Sequence, residues 1–188
     1  MKLGAGHTKG AAFERGICRQ LSLWWTFGTR DDIFWRTPQS GGRATRREQK
    51  GKGSAGHYGD IMAVDPIGNP LLQFMTFELK HGYRLASAMD LVDGGKKSQW
   101  GKWILGAKRV HLEANSLHFA LIVRRHMKKV VICFSSSLRQ SLGLFSCPHL
   151  YFYHPDYGSC DVVLFEDFLD TVTPEKVTSL VSGWEGGN

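Results

Sequence analysis

The stretch FMTFELKHG, residues 74–82, decides how the rest of the chain is read. Phe74, Met75, Phe77 and Leu79 have the content of a buried strand, yet Glu78 and Lys80 place a carboxylate and an ammonium two residues apart at its end. On a strand, residues two apart share a face at about 6.6–6.8 Å, so the charges are neighbours by construction. An ion pair closing a strand would explain that much. A second carboxylate changes the reading. Asp60 opens DIMAVD (60–65), and PIGNP (66–70) supplies turn residues before LLQFMTFELK (71–80). The sequence predicts a hairpin of these two segments, which brings Asp60 beside Glu78. Two carboxylates that close repel unless a cation sits between them. An all-oxygen donor set favours a hard divalent ion. Mg2+ takes one or two carboxylates at about 2 Å and keeps several waters, and Mn2+ can stand in for it. Such an ion suits phosphodiester hydrolysis, with Lys80 holding the attacking hydroxide and stabilising charge on the phosphoryl oxygens.

Outward from this centre, Phe13, Ile17, Leu21 and Trp24 fall at helical spacing in HTKGAAFERGICRQLSLWW (7–25), with Gly28 soon after. DDIFWRTPQ (31–39) reads as a short strand stopped by Pro38. SGGRATRREQKGKGSAGHYG (40–59) is glycine-rich, basic and almost without apolar residues, the composition of a loop. Beyond Lys80 the pattern gives a helix with Trp100, Trp103, Ile104 and Ala107 on one stripe, then two strands about the basic turn 124–129. A helical turn in SSSLRQSLG (135–143), strands in LYFYH (150–154) and DVVLFEDFL (161–169) and a last helix around TPEKVTSLV (173–181) follow.

At 188 residues and 42% hydrophobic content, the chain is long enough for one domain with its own core. Its net charge of +7 is unevenly spread. From Tyr151 onward seven acids face one lysine, a net of −6, which leaves +13 on the first 150 residues. The expected organisation is therefore a basic core over 1–150 and an acidic C-terminal extension over 151–188 packed on the same domain. A basic surface of this kind points to a polyanion such as DNA, because neutralised phosphates release condensed counterions. Four cysteines without a CxxC pair, and no apolar run of the ~20 residues a membrane span needs, point to a soluble protein of a reducing interior and not to a membrane. Cys147, His149, His154 and Cys160 are zinc-capable residue types, but C-x-H-x4-H-x5-C matches no common zinc module, and LYFYH reads as a strand with aromatic core residues. The six tryptophans read mainly as core.

Taken in order, KGAAFER (9–15) with Glu14, FWRTPQSGG (34–42), GDI (59–61) and FELK (77–80) resemble the PD-(D/E)xK nuclease superfamily, and within it phage and prokaryotic Holliday junction resolvase-like endonucleases. The resemblance spans roughly residues 9–134. Gly59 stands where the superfamily motif has proline. The resemblance implies an α/β, restriction-endonuclease-like fold, a mixed central β-sheet flanked by helices. It implies that Glu14, Asp60, Glu78 and Lys80 are catalytic, with Asp60, Glu78 and Glu14 as metal ligands. Ser40 corresponds to a hydroxyl residue in a loop brought over the site, and Gln99 to a polar residue near the metal. Arg43, Arg46, Arg47, Lys50 and Lys52 are candidate phosphate contacts, which position DNA without reading its sequence. Each assignment has an ordinary counterpart: a helix-dipole carboxylate for Glu14, a turn residue for Ser40, a surface residue for Gln99. The implied activity is Mg2+-dependent cleavage of branched or structured DNA by a homodimer, in the cytoplasm of a prokaryote or a phage-infected cell. The rival readings are a DNA-binding protein on the same fold that does not cut and a sequence-specific restriction endonuclease.

Overall fold

The computed structural model describes residues 5–38, 58–94 and 97–185. Helix α1 (Ala5–Trp25) turns one stripe inward, with Phe13, Ile17, Cys18, Leu21 and Trp25 buried at successive helical spacings. Strand β1 (Phe34–Arg36) pairs antiparallel with β2 (Ile61–Ala63) in a two-stranded sheet.

Between β2 and β3 (Met75–His81) the chain departs from the expected hairpin. A 3-10 turn (Pro66–Gly68), capped by the Asp65 carboxylate accepting from the Ile67 N–H at 3.0 Å, leads into helix α2 (Asn69–Phe74). LLQF is thus helical and not the start of a strand. Pro70 sits in the first turn of α2, where a missing N–H costs nothing, and Leu71 and Phe74 share the buried face. DIMAVD accordingly pairs with β1, and it hydrogen-bonds to β3 through its leading residue, Asp60.

After β3 come α3 (Asp90–Gly94), α4 (Gln99–Ala114), β4 (His118–Arg124), β5 (Val130–Ser135), α5 (Ser137–Leu142), β6 (His149–His154), β7 (Gly158–Leu164), α6 (Phe165–Thr171) and α7 (Pro174–Glu185). The main sheet has the order β3-β4-β5-β7-β6. β3 and β4 run parallel, so their connection must cross over, and α4 is that crossover. The remaining pairs are antiparallel. Register decides the faces. Phe77 and Leu79 of β3 and Ala120 and Ile122 of β4 pack in one core with Ile17 and Leu21 of α1. Phe119, Leu121 and Val123 pack on the other face with Trp100, Trp103 and Ile104 of α4. This is the α/β, restriction-endonuclease-like architecture expected, a mixed sheet with helices on both faces.

The C-terminal segment supplies β7, which lies between β5 and β6, and buries Val163, Phe165, Phe168, Val177 and Val181 in the α1-side core. FEDFL belongs to helix α6 and does not extend the strand. Phe165 and Phe168 are buried at helical spacing, and Glu166 and Asp167 complement the dipole of the first turn. β6 is a strand as expected, but at the sheet's edge, with Tyr151 57% and Tyr153 66% exposed instead of in the core. Trp25, Trp100 and Trp103 are buried, whereas Trp35 is 49% exposed. Among the described residues no helix is long and apolar enough to cross a membrane.

Candidate active site

β3 is the other edge of the main sheet, bonded to β4 on one side. Its free side is met by the chain at Gly59–Asp60. The Asp60 N–H donates to the Phe77 carbonyl at 2.8 Å, and the Leu79 N–H donates to Asp60 Oδ2 at 2.7 Å. The carboxylate thus satisfies an edge N–H that a strand carbonyl would otherwise take. So close an approach explains why glycine stands at position 59. Its φ is +72°, and a Cβ there would lie 2.6 Å from the Phe77 carbonyl oxygen and 2.8 Å from Thr76 Cγ2. Buried Thr37 clamps the same turn, donating its hydroxyl to the Gly59 carbonyl at 2.9 Å and its N–H to the Asp60 carbonyl at 3.0 Å.

Glu78 and Lys80 lie opposite Leu121 and Val123 in register, hence on the α4 face, and are ion-paired with each other. About four-fifths of each side chain is buried, with 21% of Glu78 and 23% of Lys80 exposed. Burial, followed by the charge of Glu78, pushes the Asp60 carboxyl up to about 7; Lys80 and the Leu79 N–H pull the other way, and Glu14 adds a smaller upward push. For Lys80 burial is the largest single influence and acts downward. The carboxylates of Glu78 and then Asp60 together outweigh it, so its proton affinity is raised and it stays an ammonium.

Glu14, on α1, accepts from Arg36 Nε at 2.7 Å, and the pair is mostly buried, at 14% and 24% exposed. Cys18, one turn further along α1, feels the same cluster. Burial first and then the Glu14 charge push its thiol up to about 12, so it is an inert thiol and not a nucleophile.

Asp60 and Glu78 are the two residues that could hold a divalent cation. Their donor set fits one: two partly buried carboxylates whose charges act on each other, with a single lysine to offset them, is the charge pattern a hard cation relieves. Glu14 is turned toward Arg36, and among the described residues no three of His, Cys, Asp and Glu are grouped to cage an ion. The fit is therefore to an ion that uses two carboxylates and keeps waters, not to an all-protein cage. Gln99 is exposed at the start of α4 and lines a separate shallow cavity with Asp90, Asp93 and Lys97; no hydrogen bond joins it to Asp60, Glu78 or Lys80. Ser40, Arg43, Arg46, Arg47, Lys50 and Lys52 lie outside the described residues.

Sequence reasoning missed Arg36. A signal was present: it shares a strand face with Phe34, whose ring packs edge-on against Trp25 of α1, so Arg36 also faces that helix. Among the described residues Cys147, His149, His154 and Cys160 are not grouped together. Cys160 is buried on the α4 side, the His154 ring stacks on Tyr157 at 4.5 Å, and Cys147 Sγ lies 3.5 Å from Thr171 Oγ1.

A family model described as "phage putative PDDEXK endonuclease" matches residues 5–179. Comparison with curated proteins and with solved structures finds no match.

Proposed function

The chain belongs to this PDDEXK phage endonuclease family, and from that premise we propose that it is a Mg2+-dependent endodeoxyribonuclease whose reaction is carried by Asp60, Glu78 and Lys80, with Glu14 in support. One observation carries the reading: Asp60 is held by an edge N–H of β3 in a half-buried position near the charge of Glu78, where burial and that charge lift its carboxyl to about 7. A fold has no use for such a pair. A cation bound between the two carboxylates gives it one, and a binding module that never cuts would gain nothing from keeping it.

When bound, the ion polarises a phosphoryl oxygen and lowers the pKa of a water. The remaining steps fall to side chains. Glu78 orients Lys80 through their ion pair, so the ammonium stands beside the carboxylates, where attacking water and phosphate meet. There Lys80 stabilises negative charge that grows on the phosphoryl oxygens, a contribution strengthened by its burial. Arg36 fixes the direction of the Glu14 carboxylate through their ion pair, so that Glu14 is available to a water or the ion once the substrate reorganises the pair.

We further propose branched or structured DNA, of the Holliday junction type, as the substrate, and a homodimer as the working unit, since paired strands of a junction are cut symmetrically. The motif order that resembles junction resolvases supports this. The test is cleavage of labelled linear, flapped and four-way-junction DNA in Mg2+ and in EDTA, with Glu78→Gln as the control. Junction cleavage in Mg2+ that is lost in EDTA and in Glu78→Gln is expected. Cleavage that persists in EDTA, or no cleavage of any DNA by wild type with Mg2+ or Mn2+, would overturn the reading. Equal rates on linear DNA would overturn the structural preference alone.

A further inference from the structure

β3 and β4 are parallel and end together, so their last residues, His81 and Arg124, lie opposite each other in register and on the same, α1-facing side of the sheet. The carboxyl ends of parallel strands are where open α/β sheets receive ligands. The His81 ring stacks on Phe13 of α1, with centroids 5.0 Å apart and planes at 26°. Lys9 lies one helical turn before Phe13 on the same stripe. A groove of about 340 Å³ opens among these residues, and Gly16 forms part of its wall. A Cβ at Gly16 would have nothing within 4 Å, so the helix keeps the groove open here by carrying no side chain. A mid-helix glycine costs about 1 kcal/mol against alanine, and packing does not account for it at an open position.

The charge of this groove is unbalanced. Several cations elsewhere are paired, Lys80 with Glu78, Arg36 with Glu14, and Arg30 with Asp32 and Asp65. Among the described residues no carboxylate pairs with Lys9, His81 or Arg124. The influences on the His81 proton agree: burial lowers its affinity most, and Arg124, Lys9 and His126 all lower it further. Two cations, Lys9 and Arg124, with the His81 imidazole beside them and no paired carboxylate among the described residues, call for an external anion.

We propose that this groove is a subsite for a backbone phosphate of the DNA, bound by Lys9, His81 and Arg124. The proposal rests on the nuclease reading above and extends it. His81 follows Lys80 by one residue, about 3.3 Å along the strand, so the groove adjoins the candidate site on the opposite side of the β3 edge. A duplex laid across that edge presents one phosphate to Lys80 and another to the groove. The groove phosphate holds the strand while the other is cut.

The test uses two variants of the full chain, Lys9→Gln/Arg124→Gln and, separately, Gly16→Glu, which places a carboxylate in the groove at a helical position with open space. DNA affinity is measured against salt concentration, alongside circular dichroism for folding. Loss of one phosphate contact lowers the log–log salt slope by about 0.9 and weakens binding roughly tenfold at 0.1 M salt. That loss in every variant that folds supports the subsite. Gly16→Glu keeps the test decisive if the double variant fails to fold. A folded variant that keeps the wild-type slope, including one whose groove takes up inorganic phosphate, overturns it. If wild type itself neither binds nor cuts DNA, the nuclease reading falls and the subsite with it; if wild type binds and cuts while the variants keep its slope, only the subsite falls.

Discussion

Replacing Asp60 by Asn should make the metal-free protein more stable above neutral pH, and the structure gives the size of the effect. The carboxyl moves from 3.8 in the free chain to about 7 in the fold, with burial as the first cause and the Glu78 charge as the second. Between those two values the folded chain holds a proton that the unfolded chain has already released. Stability therefore falls as pH rises, by up to about 1.4 kcal/mol per pH unit, and the full penalty is present above pH 7. Three units correspond to about 4 kcal/mol at most. Part of the repulsion relaxes through Glu78 and Lys80, which leaves an expected range of about 2–4 kcal/mol.

Asparagine keeps an oxygen for the Leu79 N–H at the same geometry and removes the charge. For a chain of this size the gain corresponds to a melting temperature higher by about 5–15 °C at pH 8, and to no gain at pH 4, where the carboxyl is neutral in both states. Thermal melts in EDTA from pH 4 to 8 measure it. Adding Mg2+ at pH 8 should raise the melting temperature of wild type and not that of Asp60→Asn, because binding to the folded state alone is stabilising. An Asp60→Asn protein that melts with wild type at pH 8, or below it, would refute the argument and make Asp60 an ordinary structural acid.

Lys80→Met should leave Mg2+ affinity by calorimetry nearly unchanged and slow single-turnover cleavage by about 100- to 1,000-fold, the usual cost of losing one stabiliser of transition-state charge; a wild-type rate would reduce the Glu78–Lys80 pair to a salt bridge. Gly16→Ala should stabilise the chain by up to about 1 kcal/mol in urea melts, because the helix gains a better residue and the new Cβ meets nothing within 4 Å; a loss of stability would mean that α1 is not packed as described. Removing residues 151–188 should abolish cooperative unfolding by circular dichroism, since it deletes β7 and most of β6 from the main sheet and takes Val163, Phe165 and Phe168 out of the core; a cooperative melt of residues 1–150 would show two separable units.

What was legible in the sequence is what a local period encodes. The first helix, the strand with Glu78 and Lys80, and the strand pair about the basic turn follow from spacings of 3.6 and 2 alone. LLQF failed because a short apolar run does not distinguish helix from strand, and Pro70, read as a turn residue, is equally a first-turn helix residue. FEDFL failed because the strand before it hid the spacing of Phe165 and Phe168. The exposed Tyr151, Tyr153 and Trp35 were misplaced because a strand's period does not say which strand lies at an edge. Arg36 against Glu14, and the groove of Lys9, His81 and Arg124, join elements far apart in the chain, where periodicity is silent.

Asp60 is the instructive case, because its neighbourhood with Glu78 was anticipated by a hairpin that does not form. The chain reaches β3 through a left-handed glycine at 59, close against Phe77, and buries a carboxylate there against its own charge preference. Both features break a local rule at the same spot, and neither improves packing. Local rules broken together, for two hydrogen bonds to the β3 edge that a less costly residue could also make, mark the place where a sequence serves something other than stability. Proline in place of Gly59 would bar the left-handed turn, since its ring fixes φ near −65°. The one departure from the superfamily motif is therefore tied to how this chain delivers Asp60: the glycine makes the close approach, the approach lets the Leu79 N–H hold the carboxylate, and that hold keeps Asp60 facing Glu78.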